Sequence, residues 1–152
     1  MKHILIITLV LMSFISSPSW SETINDLVQR EGTYYKKFTD VPFTGKTEGK
    51  EQGSFKNGLR EGPWVVYHEN GQLFYKGDYK NGEQEGSWVG YRENGQLYYK
   101  GGFKNGKKEG SWVGYYDNGQ LWYKGDYKNG VREGTWVWYQ KDGSERRNFW
   151  CN

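Results

Sequence analysis

The chain has 152 residues, room for one domain at most, and a mildly basic net charge of +3 that does not by itself point to nucleic acid. Aromatic residues make up 18% of it, with 8 Trp and 13 Tyr beside 22 Gly. That density excludes a disordered chain, and the scarcity of Leu, Ile and Val after residue 21 excludes an ordinary aliphatic core. Gly with aromatics points to regular β-structure with tight turns.

Lys2 and His3 open the chain, and Ile4 to Ile15 is apolar apart from Thr8 and Ser13. Small residues at Ser19 and Ser21 fit a cleavage site before Glu22. This is the layout of a signal peptide over 1–21, with an apolar run too short for a ~30 Å hydrocarbon core. The expected location is periplasmic or secreted. No Cys stands directly after the apolar run, so lipoprotein attachment is not expected, and Cys151, the single Cys, has no internal partner, so packing and hydrogen bonding must supply stability.

Residues 22–52 read as an N-terminal segment with an irregular first repeat. Ile24 to Arg30 is expected to form a short helix. Glu31-Gly32-Thr33-Tyr34 is a worn Glu-Gly-x-Trp, and Phe43-Thr44-Gly45 stands for a later Tyr-Lys-Gly. Gly45-Lys46-Thr47 has the end of a phosphate-binding loop but not its upstream Gly or its helix, and is read as a turn.

From Gly53 to Asn148 the chain repeats with a period of 24, and the units Gly77 to Lys100 and Gly101 to Lys124 agree at 17 of 24 positions. Residues 149–152 are left as a tail. Each unit has two turn signals, Asn81-Gly82 and Asn94-Gly95 in the second, around aromatic and β-branched runs. The fold class is all-β: an elongated single-layer antiparallel meander of repeated hairpins. A two-residue turn at Asn94-Gly95 opposes Gly90 to Tyr99 and Trp88 to Gly101. Around Asn81-Gly82 a four-residue loop is expected, because a two-residue one sets Asp78 against Glu85. One face then carries Trp88, Leu97, Tyr99, Gly101 and Phe103; the other carries Val89, Tyr91, Tyr98 and Lys100. Trp88 is expected to cover the Gly101 opposite it. Two strands at ~4.8 Å give a rise of ~9.6 Å per unit. The charged run Ser144 to Asn148 suits a solvated edge strand.

Tyr75-Lys76-Gly77-Asp78-Tyr79-Lys80-Asn81-Gly82, followed by Glu85-Gly86 and Trp88, resembles the MORN repeat, in its bacterial variant form. Glu85, Glu109 and Glu133 stand where the usual pattern has His, and Trp88, Trp112 and Trp136 where it has its last Gly. The resemblance implies a single-layer antiparallel sheet that binds proteins, in some cases phospholipids, or acts as an antitoxin or immunity-like partner of a toxin.

The residues themselves point to a scaffold. His68, the one His after residue 21, has Arg92, Tyr116 and Gln140 at its equivalent positions, and no His, Cys and carboxylate cluster has metal-ligand spacing. Glu61, Glu85, Glu109 and Glu133 recur as a row, which is turn chemistry expected to face Lys. The reading is a non-catalytic, cofactor-free scaffold with a protein partner. The ladder of rings reads first as structural, covering glycines and one another; read as a binding surface, its candidate residues are Trp64, Trp88, Trp112, Trp136, Tyr75, Tyr99 and Tyr123. Alternatives are an antitoxin-like role, or attachment to an envelope glycan through the rings or to an anionic membrane surface through Lys76, Lys100 and Lys124. Nucleic acid is not an expected partner.

Overall fold

The computed structural model describes residues 21–146. The segment read as a signal peptide lies outside them up to residue 20, as does Cys151. The strands are β1 Glu22–Thr23, β2 Leu27–Arg30, β3 Thr33–Lys36, β4 Gly45–Glu48, β5 Glu51–Lys56, β6 Leu59–Tyr67, β7 Leu73–Lys80, β8 Glu83–Tyr91, β9 Leu97–Lys104, β10 Lys107–Tyr115, β11 Leu121–Lys128, β12 Val131–Tyr139 and β13 Glu145–Arg146. From β4 to β13 they form an open antiparallel meander in chain order, and β1 adds parallel to β4, giving eleven strands in one sheet.

The N-terminal segment differs from expectation. Ile24–Asp26 is a single 3-10 turn, and the residues expected to continue a helix form β2. Strands β2 and β3 make a separate hairpin around Glu31-Gly32, both at positive φ. Gly45-Lys46-Thr47 lies in strand β4, not in a turn. The β2–β3 hairpin caps the first unit. The Tyr34 amide donates to the Gly58 carbonyl (2.8 Å), the Gly58 amide to that of Phe43 (2.7 Å). The rings of Tyr34 and Phe43 pack on Phe55 at 4.9 and 5.6 Å. Leu27, Phe55, Trp64 and Val66 form the buried cluster beneath.

The two turn types build each unit. Asn81 and Gly82 have φ of 51° and 83°, the left-handed pair of a type I′ turn. The loop is therefore two residues, not four, and Asp78 does oppose Glu85. The carboxylate pair is relieved because Glu85 turns away to the Asn105 backbone amide, 2.9 Å off. At the other end of the strands the loop is three residues, not two. Only Gly95 is left-handed there (φ 79°), and the Arg92 amide donates to the Gln96 carbonyl. A bulge then sets Tyr91 opposite Leu97 but Gly90 opposite Tyr99, with Tyr98 as the extra residue. The odd loop and the one-residue bulge cancel. The expected Gly90–Tyr99 and Trp88–Gly101 registers stand although both turns differ from expectation.

A second bulge sits at the Gly of each Glu-Gly-x-Trp, with φ between 64° and 73° at Gly62, Gly86, Gly110 and Gly134. It swings the following indole over the preceding strand. A Cβ on Gly77 would lie 2.3 Å from the Trp88 ring, and one on Gly101 2.2 Å from Trp112. Trp88 therefore covers Gly77, not its register partner Gly101. The Trp112 and Trp136 indole N–H groups complete the arrangement by donating to the Gly102 and Asp126 carbonyls (3.0 and 3.1 Å).

Candidate functional site

The seven ring residues expected to bind a partner lie in one ladder on one face. Trp88 meets Tyr75, Tyr79 and Phe103 at 5.6, 5.2 and 5.6 Å, and Trp112 meets Tyr99, Phe103 and Tyr127 at 5.8, 5.2 and 5.9 Å. With glycine backbone beneath each indole, the packing leaves Trp64, Trp88 and Trp112 at 0, 2 and 2% exposure. These three rings are the core of the repeat and offer a partner almost no surface. Trp136, Tyr75, Tyr99 and Tyr123 are half-buried. The Tyr75 phenol is pushed up to about 12 by burial, and burial raises Tyr79, Tyr99 and Tyr123 as well.

The opposite face carries the surface that looking for aromatics overlooks. Val65 opposes Lys76, Lys76 opposes Val89, Val89 opposes Lys100, Lys100 opposes Val113, and Val113 opposes Lys124. One line of cross-strand neighbours thus alternates valine and lysine along the array. A second line beside it holds Pro63 opposite Asp78, Ser87 opposite Gly102 and Ser111 opposite Asp126. A groove of about 740 Å³ follows these two lines. Its lining includes Val65, Val89 and Val113, with Lys76 and Lys100 among the charged groups, and is mostly apolar. Both lysines are exposed, and neither makes an ion pair among the described residues. The signal for this groove was already present in the sequence, in the recurrence of Val and Lys at opposed register positions. In the sequence alone, a valine-lysine alternation reads equally as an ordinary solvated strand face.

The recurring polar residues work within the sheet. Glu61, Glu85 and Glu109 accept from the backbone amides of Asn81, Asn105 and Asn129 at 2.8, 2.9 and 2.7 Å; only Glu133 turns to a lysine, Lys128, at 3.5 Å. His68 Nε2 lies 3.0 Å from the Tyr91 carbonyl, the geometry of a donated hydrogen bond. Arg92 donates to the Tyr115 carbonyl at 2.7 Å and the Tyr116 hydroxyl to the Tyr139 carbonyl at 2.8 Å. Three different side chains at one repeat position therefore tie one unit to the next. Among the described residues no three of His, Cys, Asp or Glu stand together as a metal-binding group, and no helix is long and apolar enough to cross a membrane.

No curated protein matches the chain. The MORN repeat variant family matches residues 60–81, 84–105 and 108–129, three stretches in phase with the 24-residue period. Each stretch runs from the strand before the Glu-Gly bulge to the Asn-Gly turn of the following unit, so what the family describes is the hairpin with its inter-unit clamp. Residues 60–129 thus carry three consecutive repeats of the MORN variant form.

Proposed function

We propose that this MORN array is a non-catalytic, extracytoplasmic scaffold that binds a protein partner along the valine-lysine stripe. The observation that carries the reading is the groove of about 740 Å³ over Val65, Val89 and Val113, set between exposed lysines and repeated in register. A single-layer sheet buries one face with its own rings and leaves the other to solvent or a partner, and an apolar groove is the part of that face with most to gain from cover. The polar residues that a catalytic reading would use, His68 and the glutamates, are engaged in holding turns and units together. Export is part of the proposal. Strand β1 starts at Glu22, so cleavage there leaves every strand intact.

The test is capture from envelope extract with the chain from Glu22 onward, compared with Val89→Asp and with Val131→Asp, a change at the first residue of β12, which is 69% exposed. The expected result is a partner lost with Val89→Asp and kept with Val131→Asp. Equal capture by all three overturns the stripe as the binding surface. N-terminal sequencing of the exported protein is expected to start near Glu22, and an intact Met1 overturns export.

A further inference from the structure

We infer that the groove takes a proline-rich polypeptide in the polyproline II conformation, lying across the strands with one turn of the ligand on each 24-residue unit. The inference rests on the scaffold reading above and names the ligand's backbone. The argument starts from length. The stripe repeats every two strands, ~9.6 Å. A polyproline II helix has three residues per turn at 3.1 Å each, so every third residue returns to the same side after about 9.3 Å. An α-helix rises 1.5 Å per residue, and ~9.6 Å is about six and a half residues, no whole number of positions on one face. A β-strand presents the same side every two residues, about 6.7 Å, which also misses the period.

Hydrogen-bonding chemistry makes the same choice. A polyproline II segment makes no internal hydrogen bonds, so its carbonyls face the surroundings. Lys76 and Lys100, exposed and without an ion-pair partner among the described residues, stand one unit apart on the stripe and supply donors at the interval of one ligand turn. A helix closes its own backbone bonds and has no use for that row. Between the lysines the valines give the pyrrolidine rings an apolar floor, Val89 lying in register between Lys76 and Lys100. Tyr67, Tyr91 and Tyr115 stand two residues along from Val65, Val89 and Val113, on the same side of their strands, where an aromatic row flanks the stripe. The lining also holds Asp78 and Glu109, so the groove as a whole is close to neutral and selects for backbone carbonyls and apolar rings, not for net charge.

The experiment uses the chain from Glu22 onward, with decaproline as the probe and a helical Glu-Ala-Ala-Ala-Lys repeat peptide as the comparison, by titration calorimetry. Decaproline is expected to bind and the helical peptide not to. Replacing both exposed lysines, Lys76→Ala with Lys100→Ala, is expected to weaken decaproline roughly tenfold, the loss of charge-assisted hydrogen bonds, with the thermal transition unchanged. Amide shifts on titration are expected at Val89 and Val113 and not at Tyr79 and Phe103 on the ladder face. Absence of decaproline binding, equal binding of the helical peptide, unchanged affinity in the double variant, or shifts on the ladder face each overturn the inference. If decaproline fails while capture remains sensitive to Val89→Asp, the polyproline II ligand is wrong and the scaffold reading stands; if capture is also insensitive, both fall.

Discussion

The Glu85 carboxylate accepts a hydrogen bond from the Asn105 backbone N–H at 2.9 Å, one repeat further along the array. The same bond joins Glu61 to Asn81 and Glu109 to Asn129. A type I′ turn directs its first central amide out of the ladder, and the glutamate of the preceding unit meets it. Glu109→Ala is expected to lower stability by about 1 kcal/mol, a modest value because water reaches the exposed turn, and Glu109→Gln, which keeps an acceptor, by less. Urea denaturation of both variants checks this. Equal losses would mean that the clamp acts only through packing.

Gly101→Ala should be far worse than Gly119→Ala. A Cβ on Gly101 meets the Trp112 ring at 2.2 Å, and both ring and backbone are held by their neighbours. Overpacking of this kind costs about 1–3 kcal/mol or more. Gly119 has φ +81° with nothing within 4 Å, so alanine there meets only backbone strain of about 1 kcal/mol. Thermal unfolding of the pair should rank them in that order.

Truncating the ladder should cost most in its middle. Trp112→Ala removes a ring that is 2% exposed, at about 3–5 kcal/mol. Trp136 is half-buried and its unit is the last before the short edge strand β13, so Trp136→Ala should cost clearly less. Chemical denaturation decides it, and similar losses would remove the ladder from its place as the core.

Alkaline pH should unfold the array. Burial raises the Tyr75 phenol from 10.0 to about 12 and also raises Tyr79, Tyr99 and Tyr123. A group whose folded value is raised binds its proton more tightly when folded, so its stabilisation is complete below pH 10 and is lost as pH rises towards 12. Stability measured by denaturant between pH 8 and 12 is expected to be flat first and then to fall. Replacing Tyr75 by Phe should lessen the fall.

Position 68 should accept what its repeat equivalents carry. His68, Arg92 and Tyr116 each reach a carbonyl in the next unit. His68→Arg is therefore expected to leave stability within about 0.5 kcal/mol, and His68→Ala to lower it by about 1 kcal/mol. Calorimetric melting of the two variants tells them apart; a loss as large in His68→Arg as in His68→Ala would show that the position is not interchangeable.

The repeat, the all-β meander and most of the two faces were legible in the sequence because side chains alternate with a period of two and the Asn-Gly pairs mark where the chain must turn; Leu97, expected beside Trp88, stands instead opposite Tyr91 beyond the bulge. Gly90 faces Tyr99 as the pattern requires. That register holds although both turns differ from the pattern, because a three-residue loop and the bulge at Tyr98 compensate each other. Bulges leave no periodic trace in one chain. The left-handed Gly86 reads as one more turn glycine, and nothing in the residue order says that it sends the Trp88 ring back over Gly77. That the rings would cover glycines and one another was legible; how completely ring-on-ring packing and a glycine floor enclose Trp64 was not, because it depends on which glycine each indole reaches. Which residues repeat is a property of the sequence. Which of the two repeating faces closes on itself, and which is left open as a valine-lysine groove, was decided by the tertiary structure, because that depends on how each unit leans on the one before it.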